Sequence, residues 1–287
     1  MPRIPDEHLD VSVYIYPSVP DAEQGKRIGG CGFLMSVKSA LLPGYIIYAV
    51  TNRHVVEDGG WCVRVNTADG GKDVFELDDR NWIFHPDGDD VAICQMPTMP
   101  AARFKYRTLG EENLLTKELM HELNIGPGDD VFVVGRFINH EGRQRNRPVM
   151  RFGNIAQNPA EPIRQSSGFE QESFLIEARS ISGYSGSPVV MGLSPEFKRP
   201  DRPALIMRRT GYRILVGVSW GHLVDEDGEN TGMMPVVPAW KLRELLHCPR
   251  VVQQRTAYEE EVIRLYPDAV RQAREDEARS KAASKAD

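Results

Sequence analysis

Cysteine is scarce. The 287 residues hold four, Cys31, Cys62, Cys94 and Cys248, with no C-x-x-C pair and no zinc-ligand spacing. A zinc ribbon and a disulfide framework are both excluded, and four unpaired-looking thiols in a chain of this size point to a reducing compartment. Long apolar runs are missing too. No segment approaches the ~20 apolar residues needed to span a bilayer, and the opening Met1-Pro2-Arg3-Ile4-Pro5-Asp6 has no apolar signal core. The expectation is a cytoplasmic protein without a membrane partner. No glycine-rich phosphate loop ends in Lys-Ser/Thr, and His121-Glu122 has no second histidine four residues on. No metal, nucleotide or other cofactor is therefore expected. Excess positive charge is also lacking: the formal net charge is −6, which argues against general nucleic-acid binding.

What is present is β-rich. Hydrophobic residues make up 41% of the chain and prolines number 20, a composition that suits a globular, loop-rich β protein. Strand-like runs bounded by turn residues recur at 11–16, 32–37, 45–50, 61–65, 91–96 and 131–136. Residues 110–128 include a helical stretch, Glu-Glu-Asn-Leu-Leu-Thr-Lys-Glu-Leu-Met, suited to a division between two units. From Ala257 onward the chain turns to Glu, Arg, Ala and Lys without glycine, and Pro267 separates two helical patterns. This tail either docks on another protein or frays, with fraying favoured for its last ten residues.

Three segments carry chemistry. Gly183-Tyr184-Ser185-Gly186-Ser187-Pro188 lets the backbone turn tightly around Ser185 and exposes amide hydrogens. A serine hydroxyl is a weak nucleophile at neutral pH and needs a base and an oxyanion stabiliser. Ile46-Ile47-Tyr48-Ala49-Val50-Thr51-Asn52-Arg53-His54 is an apolar, β-prone run that places His54 at a strand end. His85-Pro86-Asp87-Gly88-Asp89-Asp90-Val91-Ala92-Ile93 is a polar turn entering an apolar strand, with Asp90 at the junction. A carboxylate about to be buried needs a partner, and an imidazole N–H is a natural one. Asp89 is set aside because the apolar strand begins directly after Asp90.

The order His54, Asp90, Ser185 resembles that of the chymotrypsin-like serine peptidases. Gly30-Cys31-Gly32-Phe33 resembles the "G-S-G-F" strand of bacterial HtrA-like and V8-like members. Val216-Gly217-Val218-Ser219-Trp220-Gly221 resembles the Ser-Trp-Gly strand of trypsin-like enzymes, and residues 234–242 resemble their last strand and closing helix. The resemblance covers about residues 11 to 247. It implies a mainly β fold of two six-stranded antiparallel Greek-key barrels with a C-terminal helical extension. The implied division is 1–112 for the first barrel, 113–128 for a linker, 129–249 for the second barrel and 250–287 for a charged helical tail.

The same resemblance implies the roles. Ser185 attacks a scissile carbonyl, His54 moves its proton, and Asp90 holds the imidazole. The N–H groups of Gly183 and Ser185 form the oxyanion hole. Ser219, Trp220 and Gly221 pair with a peptide substrate as an added strand, and Gly221 and Gly232 flank the specificity pocket with Met234 nearby. Arg179, six residues before the nucleophile, stands at the pocket base. It either attracts an acidic side chain or pairs with a structural carboxylate. Val218 stands where V8-like members carry a histidine, which weakens a simple transfer of glutamyl specificity.

Two departures bear on control. Digestive relatives carry an aspartate just before the serine, which a new N-terminal amine engages; here that residue is Tyr184, and Arg27-Ile28-Gly29-Gly30 lies too close to His54 to serve as an activation site. The nucleophile loop must be ordered by its own packing or by a partner. Val55 after His54 leaves Cys31 without the disulfide of secreted trypsins. The expectation is an intracellular serine endopeptidase with a restricted or partner-controlled cleft. A latent peptide-binding module using the same cleft is the alternative. A basic insertion running from Lys198 to Arg213 reads either as a solvated loop or as a surface for a regulatory protein, and the tail is a second such surface.

Overall fold

Strands rich in Val, Ile, Tyr and Phe fill most of the chain, because such side chains pack well on a pleated surface. The computed structural model describes residues 4–137, 142–165, 168–178, 183–193 and 212–283. Eight strands form the first sheet: β1 (Ser12–Tyr16), β2 (Gly30–Lys38), β3 (Tyr45–Thr51), β4 (Cys62–Asn66), β5 (Lys72–Glu76), β6 (Ile83–Phe84), β7 (Ala92–Gln95) and β8 (Leu109–Gly110). They run β5-β4-β1-β2-β3-β7-β6 with antiparallel neighbours, and β8 adds in parallel beside β2. No ladder joins β5 to β6 among the described residues, so this sheet is a half-barrel.

The second sheet closes fully. Strands β9 (Asp130–Gly135), β10 (Val149–Gln157), β13 (Phe174–Glu177), β14 (Pro188–Leu193), β15 (Tyr212–Ser219) and β16 (Met233–Pro238) form a barrel in the order β10-β13-β16-β15-β14-β9. A small hairpin, β11 (Ile163–Arg164) with β12 (Glu170–Gln171), stands beside it. The expected chymotrypsin-like architecture is therefore present. Its N-terminal sheet is completed by packed side chains rather than by strand pairing. Val13, Ile15, Leu34, Val63, Trp82 and Phe104 belong to the cluster that fills the half-barrel.

Alternation along β2 ties the two sheets together. Leu34 points into the half-barrel, whereas Phe33, Met35 and Val37 belong to a core that also includes Val131, Val133 and Val216 of the closed barrel. Helices complete the chain: α1 (Val19–Gln24), α2 (Arg53–Glu57), α3 (Lys117–Glu122), α4 (Ala239–Leu246), α5 (Pro249–Leu265) and α6 (Pro267–Ala283). The helical extension expected after the barrel is thus there, broken at Pro267. Leu242, Leu245 and Leu246 of α4 are fully buried. Buried Glu259 of α5 accepts the Ser39 hydroxyl and the Ala40 N–H at 3.0 Å, and so fastens α5 to the turn between β2 and β3.

Arg64 of β4 is the largest fully buried side chain. Its guanidinium donates to Asn146 Oδ1 at 2.7 Å, the Ala22 carbonyl at 3.0 Å and the Gly142 carbonyl at 2.8 Å, and it lies over the Tyr16 ring at 4.7 Å. The residues around Arg143, between β9 and β10, provide acceptors that a buried cation of the other sheet requires. Removing one partner of such a network leaves several acceptors unsatisfied, at about 1–3 kcal/mol for a buried group. Arg64→Ala should lower unfolding free energy by about 3 kcal/mol, measured by urea denaturation; a loss under about 1 kcal/mol would show that these contacts are dispensable.

Candidate active site

His54 enters its site from the end of β3. The strand stops at Thr51, extended Asn52 follows, and His54 is the second residue of α2. Asp90 approaches from the turn before β7. Its Oδ2 receives the His54 Nδ1–H at 2.7 Å and its Oδ1 receives the His54 backbone N–H at 3.0 Å, so one residue engages both carboxylate oxygens. The main chain of Asp90 is held as firmly. Asn52 Nδ2 donates to its carbonyl at 2.7 Å, and its N–H donates to Gln171 Oε1 at 2.8 Å. The Asp90 side chain is 5% exposed and that of His54 39%.

With a carboxylate facing Nδ1, the proton belongs there, and Nε2 is left with its lone pair. Burial pulls the His54 pKa down, but the Asp90 hydrogen bond and charge, helped by Asp58 and Glu57, outweigh it and hold the pKa above the usual 6.5. This is a base with a fixed tautomer and a stabilised protonated form.

Ser185 sits on a loop fastened at nearly every other group. The Gly183 carbonyl accepts Arg136 Nε at 3.1 Å and Cys31 Sγ at 3.3 Å. The Ser185 carbonyl accepts the Cys31 N–H at 2.8 Å, the Tyr184 carbonyl accepts the Ser187 N–H at 2.9 Å, and the Gly186 N–H donates to Ser219 at 2.8 Å. Gly183 and Gly186 have φ of +92° and +86°, where an L side chain is strained. A Cβ on Gly186 would also strike the Cys31 carbonyl and Thr51 Oγ1. Tyr184 is 1% exposed, with the Arg151 guanidinium 4.8 Å from its ring centroid. Burial pushes its phenol up to about 12, so the anchor stays neutral. Among the described residues, the N–H groups of Gly183 and Ser185 have no hydrogen-bond acceptor. The Ser185 hydroxyl donates to the Trp220 carbonyl at 3.4 Å, and no hydrogen bond joins it to His54.

These groups share one open cleft of about 860 Å³, lined by His54, Asp90, Gly183, Ser185, Trp220 and Gly221. Ser219 stands behind its wall: the side chain is fully buried, its N–H donates to Ser187 at 2.9 Å and its carbonyl already accepts Gly186. Gly232 is outside the lining, with its carbonyl taken by the Ala178 N–H at 3.1 Å. Arg179 lies outside the described residues, as do residues 198–211 of the basic insertion. Sequence reasoning missed Phe169 and His222 in the lining, and it missed Gln171. Fully buried Gln171 spans from the Asp90 N–H to Asp89 Oδ1, which accepts its Nε2 at 2.7 Å. No local pattern marks a lone glutamine from another sheet. Asp89, set aside from the sequence, turns away from His54 to His85 and Lys241.

A basic nitrogen, a hydroxyl and two free amides around one cleft can activate a nucleophile and stabilise a developing oxyanion. A family model described as a trypsin-like peptidase domain matches residues 30–192, more than half of the chain. Among solved structures, the MamO protease domain from Magnetospirillum magneticum is similar, with 17% identity over 83% of this chain and 96% of that one and a TM-score of 0.55. The Rv3671c protease of M. tuberculosis H37Rv, in its inactive form, has 18% identity over 83% and 88% of the two chains, with a TM-score of 0.47. No curated protein sequence matches.

The balance at His54 can be read directly. Its ring should titrate above 6.5 by NMR, and in Asp90→Asn, where burial acts without the opposing charge, the pKa should fall. An unchanged value would mean that Asp90 does not set the base.

Proposed function

The chain belongs to the trypsin-like peptidase domain family and is a serine protease, and from that premise we propose that His54, Asp90 and Ser185 are its catalytic triad, acting on peptide bonds of proteins or peptides through an acyl-enzyme. The observation that carries this reading is the paired geometry at His54, both of whose N–H groups on that side are held by one buried carboxylate. Ser185 turns from the Trp220 carbonyl toward Nε2 and attacks the scissile carbonyl while His54 takes its proton. The negative oxygen that forms is received by the Gly183 and Ser185 N–H groups, each contributing on the order of 3 kcal/mol. His54 then returns the proton to the leaving amine, and water reverses the sequence to release the acyl group.

Control of the cleft follows from the same loop. Tyr184 removes the charged residue through which an amine terminus could order the site, and the fastening by Arg136, Cys31 and Tyr184 takes its place. The Ser185 hydroxyl resting on Trp220 supports an enzyme whose nucleophile swings into line when substrate or a partner engages. We place the protein in the cytoplasm on the strength of its four free thiols. We assign Arg179 to an acidic preference ahead of the scissile bond, and the basic insertion and helical tail to regulatory contacts.

Labelling with a fluorophosphonate, which requires an activated serine, tests the triad. The wild type should label, and Ser185→Ala and His54→Ala should not. A folded wild type that stays unlabelled would replace this reading with a latent peptide-binding module. Peptide hydrolysis, in turn, should show an acid limb with an apparent pKa above 6.5, since only neutral His54 accepts the proton. Asp90→Asn should lower kcat by roughly 10⁴-fold, the scale of loss when the orienting carboxylate of trypsin's triad is made neutral.

A further inference from the structure

A second cluster of ionisable groups stands behind the triad and takes no part in the chemistry above. His85, in the turn between β6 and β7, has a side chain with no solvent exposure. Its Nδ1 lies 3.0 Å from Asp89 Oδ2 and accepts the Asp87 N–H at 3.3 Å. The other ring nitrogen, Nε2, is turned toward Glu244 on α4. Nε2 is buried without a hydrogen-bond partner and lies 3.4 Å from Glu244 Oε2 on α4. An oxygen of exposed Asp87 completes the group, and one ligand atom from each of His85, Asp87 and Glu244 lies within 4.8 Å of the other two.

We propose that His85 Nε2, an Asp87 carboxylate oxygen and a Glu244 carboxylate oxygen bind a divalent transition-metal ion, zinc being the best match. Three features of the cluster support the assignment. Imidazole nitrogen with two carboxylates suits zinc, whereas magnesium and calcium take oxygen donors. Donors of a tetrahedral zinc at about 2.0–2.1 Å stand about 3.3 Å apart, close to the existing His85–Glu244 separation, and Asp87 can close the remainder by rotating an exposed side chain. A metal-bound histidine is held by an acceptor such as a carboxylate beside its other nitrogen, and Asp89 Oδ2 already stands 3.0 Å from Nδ1.

The local charge favours a cation. Among the described residues, Asp87, Asp89, Glu172 and Glu244 face only Lys241 and Lys117. Lys241 Nζ is the competitor, 3.6 Å from Glu244 Oε2. It keeps Asp89 at 3.1 Å and Glu172 at 3.8 Å when Glu244, half of whose side chain is exposed, turns to the ion. The ion would adjoin the triad through Asp89 and Gln171, the latter bonded to the Asp90 N–H. The sequence expectation of no metal rests on spacing motifs, which cannot pair a turn at 85–87 with a helix at 244.

The test is titration of the full-length, untagged protein with Zn²⁺ against a chromophoric chelator. One ion per chain should bind. Asp87→Asn and Glu244→Gln, both surface changes, should each weaken binding at least about tenfold while leaving the metal-free melting temperature unchanged. Zinc should raise the melting temperature of the wild type and not of the double variant. Absence of one-to-one binding, binding that survives both substitutions, or equal affinity for Mg²⁺ would each overturn the proposal.

Discussion

A carboxylate taken out of water is tolerable only when its charge is fully answered, and Asp90 is the point at which this chain meets that requirement. Both oxygens go to His54, the carbonyl to Asn52 and the N–H to Gln171. The demand reaches outward from there. Asn52 must lie between β3 and α2, so the strand has to end where it does. Gln171 must come from the hairpin beside the closed barrel, so the two sheets have to meet at this turn. The imidazole is presented to the cleft as the remaining outcome of these constraints.

The nucleophile loop answers a different requirement, that of holding a tightly turned backbone without a salt bridge. Two glycines with left-handed φ stand on either side of Ser185, and the turn they allow is fixed by its surroundings. The surroundings here are a neutral buried phenol, an arginine on a main-chain carbonyl and a strand of the opposite sheet. The carbonyls of Gly183, Tyr184 and Ser185 are held, while among the described residues the Gly183 and Ser185 amides have no acceptor.

Much of this is legible in the sequence for physical reasons. Asp90 is readable because a polar turn running into an apolar strand leaves a carboxylate no choice but a partner. Ser185 is readable because glycines on both sides signal a turn that a side chain would prevent. The strands at β3 and β9 are readable from their β-branched runs and β2 from its apolar one, though strands buried on both faces lose the alternation that would fix their register. Gln171, Arg136 and Arg64 are not readable, since each acts through atoms brought near only by the fold. The missing ladder between β5 and β6 is hidden as well, because closure depends on the geometry of chain ends rather than on composition. Ser219 shows the limit of analogy: a matched tripeptide places three residues together, but only Trp220 and Gly221 line the cleft.

Cys31 holds the loop at two points and ties it to its neighbours, through its N–H to Ser185, its carbonyl to Thr51, its sulfur to Gly183 and the Arg136 N–H to that sulfur. Serine is shorter and a stronger donor, and valine can accept nothing, so neither substitutes without disturbing Arg136 and Tyr184 as well. These three positions would be inherited as a set. A lineage that drifted at one of them would carry compensating changes at the others, and the trace of that joint drift would distinguish descendants of this chain from relatives that order the same loop with a charged pair.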